Sequence, residues 1–176
     1  VGSYKKEVPS VTGHGRFAAN EAPQSAYTQA EFDSMAKYND AAIVVIGRSG
    51  SESVDLPTEY LSFTQEERNL IQMATERFDK VILLLNVTNP INMTELSPYD
   101  IDAVLWVGAL GQEGAYAIGE ALNGTVNPSG HLVDTWAADA ASAPAAANLG
   151  DYTITNSDVF AGNKYIVYAE GVYVVY

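Results

Sequence analysis

Short apolar runs, each free of charged side chains, recur along the first two thirds of the chain. Three of them cover residues 41–46, 81–85 and 103–107 and are rich in Val, Ile, Leu and Ala. Continuous aliphatic runs of this length are typical of parallel strands buried on both faces, and we predict a strand for each. A fourth strand is predicted over residues 132–136.

The segments between these runs carry helix signals. Thr28 with Glu31, and Thr64 with Glu67, have the spacing of a capping box, which marks the start of a helix. Apolar residues at helical spacing follow each box, namely Phe32, Met35 and Ala36, then Leu70, Ile71, Ala74 and Phe78. A third helix is predicted over residues 112–122, with Ala115, Ile118, Ala121 and Leu122 facing inward.

Strands that alternate with helices predict βαβ units, a parallel sheet and right-handed crossovers, which is the α/β class. Residues 1–39 are predicted to form a lead-in segment whose one helix packs on the domain, and residues 40–176 the domain itself. The end of the chain, residues 165–176, is rich in Tyr and Val and predicts extended structure. Because this pattern stops without a turn, we expect the chain to be a fragment of a longer protein.

Composition narrows the possible ligands. The formal net charge of −13 would repel phosphates, so we expect neither nucleic acid nor an anionic membrane as partner. A neutral ligand such as a sugar fits this charge, although solubility alone also explains it. No cysteine is present and the two histidines, His14 and His131, are far apart in sequence, so we expect no metal and no cofactor. Residues 1–16 lack a signal-peptide pattern, and the compartment stays open.

Two loops at the carboxyl ends of predicted strands carry unusual residues. Residues 47–56 read GRSGSESVDL, in which Arg48, Glu52 and Asp55 bring a cation and two carboxylates among small residues. A partner surface that buried Glu52 would raise its pKa, which suits a general acid. A solvated loop with an Arg–Glu ion pair is the alternative, and the residues alone leave both interpretations open.

The second loop, residues 108–114, reads GALGQEG. It resembles a dinucleotide-binding loop, but its spacing is G-x-x-G-x-x-G, and the dinucleotide fingerprint belongs at the first βα turn of its fold. Glycines that serve a tight turn are the simpler interpretation. No G-x-S-x-G or G-K-[ST] motif is present, so neither a serine hydrolase nor a P-loop is indicated.

Four segments, in order, resemble the α/β-sandwich domain of family 3 glycoside hydrolases. They are AAIVVIGRSGSESVDL (41–56), VILLLNVTNPI (81–91), the stretch 103–136 with its GQEG and NPSG motifs, and YAEGVYVVY (168–176). The resemblance covers about residues 40–176. It implies a flavodoxin-like three-layer α/β sandwich with a mostly parallel sheet, which packs against a TIM-barrel domain of the same protein.

The resemblance also implies a role for this domain in a retaining β-glycosidase, β-glucosidase-like, that hydrolyses terminal β-linked sugars. By its place in the motif, Glu52 would be the acid/base, with Glu170 as its rival, while the barrel would bring the nucleophile. Arg48, Ser51 and Asp55 would orient the loop or contact the carbohydrate. The fragment alone would be inactive, because a barrel typically needs about 250 residues and does not fit in this chain.

Two features of the chain keep other functions open. Serines, Ser51 and Ser53, flank Glu52 where the family usually has glycines, and they favour a non-catalytic carbohydrate-binding or interaction module. The flavodoxin-like fold and the loop 108–114 suggest a nucleotide- or flavin-binding domain as a second alternative.

Overall fold

The chain divides into two compact units, Val1–Gly130 and His131–Tyr176. Its structure is a computed structural model that describes residues 22–48, 58–139, 142–144 and 152–172. The helices and strands of the first unit are α1 (Gln29–Met35), β1 (Ala42–Gly47), α2 (Gln65–Thr75), β2 (Val81–Asn86), β3 (Ala103–Trp106) and α3 (Gly114–Leu122). Short 3-10 helices cover Gln24–Ala26, Thr58–Leu61 and Met93–Leu96.

A parallel sheet forms the centre of the first unit. Its strands run in the order β1-β2-β3, and both pairings are parallel. The register places Ile46 beside Leu85 and Leu85 beside Trp106. The three predicted strands are therefore confirmed, and with them the α/β class with a mostly parallel sheet.

The faces of β1 are not equally covered. Val44 and Ile46 are buried, whereas Ile43 and Val45, which point to the opposite face, are each 49% exposed. The helix that packs on β1 is α2, which buries Ile71 and Ala74. The prediction that this strand is buried on both faces was therefore wrong for the described residues. Burial of the second face would require another layer of side chains over Ile43 and Val45.

Two further predictions about strands need correction. β3 forms as expected, but Val104 and Trp106 are 40% and 37% exposed, so it is not a buried strand. Residues 132–136 contain no strand, and Val133 is 92% exposed. A strand needs a neighbour for its backbone hydrogen bonds, and the described chain pairs no strand with these residues.

The two predicted capping boxes are present. The backbone N–H of Thr28 donates to Glu31 at 2.7 Å, and that of Thr64 donates to Glu67 at 2.7 Å. In each helix the threonine hydroxyl accepts the N–H of the glutamate in return. Beyond the caps, α1 and α2 meet in a cluster formed by Ala22, Tyr27, Met35 and Met73, against which Phe32, Leu70 and Phe78 pack.

The third helix forms two residues later than predicted, at Gly114–Leu122. Ile118, Ala121 and Leu122 are half-buried, but Ala115 is exposed, contrary to expectation. No described helix is long and apolar enough to cross a membrane.

The second unit contains a small antiparallel hairpin of β4 (Tyr152–Thr153) and β5 (Lys164–Tyr165). The rings of Tyr152 and Tyr165 lie with their centroids 5.4 Å apart across the pair. The predicted extended structure begins in β5, but residues 166–172 form no strand.

Substitution of glycine by alanine is expected to have opposite effects on stability at two positions near α3. Gly111 has a φ of +62°, and Gly119 lies inside α3; an added Cβ would meet no atom within 4 Å at either position. Gly111→Ala is expected to destabilise the protein by about 1 kcal/mol, because a side chain disfavours left-handed backbone. Gly119→Ala should stabilise it by about 0.5–1 kcal/mol, because alanine favours a helix interior. Thermal unfolding measures both; shifts of the same sign would contradict the backbone assignments.

Candidate functional site

The carboxyl ends of the three parallel strands bring their following loops to one edge of the sheet. In α/β proteins this edge is where ligands bind. Arg48 follows β1 directly, the segment 87–92 follows β2, and residues 107–113 follow β3. Arg48, at the start of the first candidate loop, and the second candidate loop, residues 108–114, therefore both follow strands at this edge.

The predicted site residues fall into three groups. Arg48 is described and lies at this edge. Ser51, Glu52 and Asp55 lie in the loop 49–57, outside the described residues. Glu170 is half-buried in a turn of the second unit. The predicted roles of these five residues stay predictions.

Arg48 is buried, and hydrogen-bond acceptors of the protein surround its guanidinium. Its side chain is 2% exposed. The Nε atom donates to Oε1 of Glu67 at 3.0 Å, and one terminal nitrogen donates to Oε2 of the same carboxylate, so the pair is bidentate. The guanidinium also donates to the carbonyl of Tyr60 and, at 2.8 Å, to that of Ser62. We refer to Arg48, Glu67 and these two carbonyls as the Arg48 clasp.

The carboxylate of Glu67 binds Arg48 and also caps the helix α2. It is 1% exposed and its carboxylate accepts both the Arg48 guanidinium and the backbone N–H of Thr64. The guanidinium also lies over the ring of Phe63, 5.9 Å from its centroid. Because each buried charge compensates the other, removal of one partner would leave an isolated charge away from water.

The clasp spans the loop that carries Glu52. Arg48 directly precedes residues 49–57, and Tyr60 and Ser62, whose carbonyls it binds, follow them, so one side chain ties together the described residues on either side. The backbone N–H of Arg48 donates to Asn86 at 3.1 Å, which ties the start of the loop to β2. The end is tied as well, because Asn92 donates its N–H to Leu61 at 2.7 Å.

The other two loops are joined by Trp106. Its indole N–H donates to the carbonyl of Val87 at 2.7 Å, which links the end of β3 to the segment after β2. Gly108 follows with a φ of +59°, and an added Cβ there would lie 3.5 Å from the Trp106 ring. Left-handed backbone at Gly108 and Gly111 supports the interpretation of loop 108–114 as a tight turn.

Sequence reasoning missed Glu67 as part of this site. Its place in a capping box explained it fully as a helix-start residue. A sharper signal was available, since an arginine that directly follows a buried strand needs a buried acceptor. The sequence placed an Arg–Glu ion pair within the loop itself as one alternative, and the structure pairs Arg48 with Glu67, 19 residues away.

The sheet with its loops at the carboxyl edge defines an α/β-sandwich domain, and comparison with known proteins gives its family. The family model described as the glycosyl hydrolase family 3 C-terminal domain matches residues 3–176. The chain therefore belongs to glycosyl hydrolase family 3, as the C-terminal type of domain, and the resemblance found in the sequence is confirmed.

Individual relatives agree with the family model. A β-glucosidase of Ruminococcus albus is 34% identical over 134 residues, 74% of this chain and 14% of that protein. A β-glucosidase of Rhizobium radiobacter is 31% identical over 151 residues, 84% of this chain and 17% of that protein.

A solved structure has the same fold. A β-glucosidase from Paenibacillus barengoltzii matches with a TM-score of 0.67 and 33% identity, over 76% of this chain and 15% of that one. In each comparison the chain spans less than a fifth of its relative's length.

Proposed function

We propose that this domain supplies the acid/base carboxylate to a retaining β-glycosidase of the β-glucosidase type, which hydrolyses terminal β-linked sugars. Support comes from membership of family 3 and from similarity to proteins named β-glucosidases. The observation that supports the proposal is the Arg48 clasp, because it ties together the described residues on either side of the segment 49–57, which contains Glu52 in the sequence.

In the proposed reaction, Glu52 protonates the oxygen of the departing group while a second carboxylate attacks the sugar carbon. Glu52 then removes a proton from the water that releases the sugar, so it acts first as acid and then as base. The attacking carboxylate would lie on a TIM-barrel domain elsewhere in the full-length protein, and the carbohydrate would bind between the two domains.

The other predicted residues take supporting roles in this proposal. A guanidinium that is 2% exposed offers little surface to a sugar, so we propose that Arg48 orients the loop. Ser51 and Asp55 would border the bound carbohydrate on the same loop. No metal or cofactor takes part.

Substitution of Glu52 by alanine in the full-length protein tests the proposal. Aryl β-glucosides with poor leaving groups should lose about 10²- to 10⁴-fold in rate, the usual size of general acid catalysis. Substrates with good leaving groups need less protonation, so their first step should change little. Azide should accelerate their turnover by attacking the glycosyl–enzyme intermediate without help from a base.

Glu170→Ala provides the matched control. It should preserve the dependence on the leaving group that the unmodified protein shows. The opposite result, with Glu52→Ala unchanged and Glu170→Ala selective for poor leaving groups, would transfer the role to Glu170. A full-length protein that binds sugars without hydrolysing them would instead support the non-catalytic module that Ser51 and Ser53 favour.

A further inference from the structure

We infer that Glu67 is a positioning residue for the acid/base step, acting through Arg48. The inference rests on the proposed role of Glu52 and adds a residue to it. Glu67 lies on α2, and its carboxylate fixes the guanidinium that binds the carbonyls of Tyr60 and Ser62, close behind the segment 49–57.

The end of the loop is held through three consecutive carbonyls. Those of Tyr60 and Ser62 accept from the Arg48 guanidinium, and that of Leu61 accepts from the backbone of Asn92. Two of the three bonds depend on one side chain. The direction of the backbone that leaves the loop is therefore set by the orientation of that guanidinium.

Glu67 determines this orientation. An arginine side chain has many rotamers, and a bidentate carboxylate fixes the plane of its guanidinium. The carboxylate is itself held by the N–H of Thr64 at 2.7 Å, at the start of α2. A continuous set of bonds thus runs from α2 through Glu67 and Arg48 to the carbonyls beside the loop.

A small displacement of a catalytic group has a large effect on rate. A misplacement of about 1 Å can cost about 10²-fold, even when the substitution is remote from the reacting atoms. Loss of the bidentate contact would allow Arg48 to rotate and residues 60–62 to shift. The reaction step that depends on the loop should then suffer more than substrate binding.

Glu67→Asp in the full-length protein is the first test. Aspartate keeps the charge but is one methylene shorter, so it cannot hold both Arg48 and Thr64 as glutamate does. We expect kcat for aryl β-glucosides with poor leaving groups to fall by about 10- to 100-fold. The kcat/KM for good leaving groups, which reports only the first step, should change less than about 3-fold, and azide should raise their kcat because the second step loses its base.

Glu31→Gln is the matched control. Glu31 has the same place in the capping box of α1, where its carboxylate accepts from Thr28 and the contact is exposed. The substitution should leave both kcat values as in the unmodified protein. An equal loss of kcat/KM for both leaving groups in Glu67→Asp, or no loss at all, would overturn the inference.

Two further variants separate the possible failures. If Glu67→Asp does not fold, the double variant Arg48→Gln with Glu67→Gln removes both buried charges together, and it should show the same selective loss; an unaltered leaving-group profile would refute the positioning role. Glu52→Ala is measured in parallel. If it retains its selectivity while the Glu67 variants show none, only the positioning role fails. If Glu52→Ala shows no selectivity, the proposed function fails, and the inference with it.

Discussion

Residues 1–176 expressed alone should hydrolyse no aryl β-glucoside under conditions in which the full-length protein is active. Retaining hydrolysis needs two carboxylates about 5–5.5 Å apart on opposite sides of the sugar. We propose that this chain holds one of them and a barrel domain the other. Removal of a catalytic nucleophile costs on the order of 10⁶-fold in rate, so we expect turnover by the isolated chain to fall below detection.

The measurement compares three samples at equal concentration. They are the full-length protein, the isolated chain, and the isolated chain mixed with the remainder of the protein. Circular dichroism establishes whether the isolated chain is folded, so that loss of activity is not mistaken for loss of structure. Activity that appears only in the mixture would support a site shared between domains.

A contrary result would be informative. Turnover by the pure isolated chain that disappears in Glu52→Ala would mean that both carboxylates lie within these 176 residues. Glu170 would then be the first candidate for the second carboxylate. The proposal of a barrel-borne nucleophile would be withdrawn.

The sequence predicted those features whose determinants are local. The capping boxes at Thr28 and Thr64 include both partners of each hydrogen bond within four residues, so their spacing is sufficient to predict them. The apolar runs predicted three strands for a similar reason. Each run limits the backbone to a few structures, and alternation with helices then favours a parallel sheet.

Features that depend on a second layer were predicted less well. Ile43 and Val45 are apolar enough to be buried, yet each is 49% exposed. An apolar side chain shows that burial is favourable, but the residue that would cover it lies elsewhere in the sequence. Val133 was likewise predicted to lie in a strand, but no described strand pairs with its segment.

The ion pair of Arg48 is a contact at the candidate site that the sequence alone did not predict, because its partner is distant in sequence. Two carboxylates, Glu52 and Glu67, were both available to it along the sequence. The fold places Glu67 beside Arg48, because α2 begins near the carboxyl end of β1. The residue that anchors the loop was thus visible as a helix cap, but its connection to Arg48 was not.

Glu67→Ala should lower the free energy of unfolding by about 3–5 kcal/mol, because it leaves the Arg48 charge buried without its partner. The side chains of Arg48 and Glu67 are 2% and 1% exposed, so bulk solvent does not screen this pair. The double variant Arg48→Met with Glu67→Leu removes both charges and should be considerably more stable than Glu67→Ala. Denaturant unfolding of the full-length protein, followed through the transition of this domain, measures the difference.

A neighbouring ion pair, whose arginine lies on the same helix as Glu67, provides the comparison. Arg68 and Glu95 form an ion pair whose side chains are 33% and 20% exposed. A double-mutant cycle there should give a coupling of about 0–1 kcal/mol, because solvent screens exposed charges. The same cycle on Arg48 and Glu67 should give a coupling of about 2–3 kcal/mol, near the upper end for contacting residues. Equal couplings would show that Arg48 is hydrated in solution. The clasp would then lack the rigidity that the positioning of the loop requires.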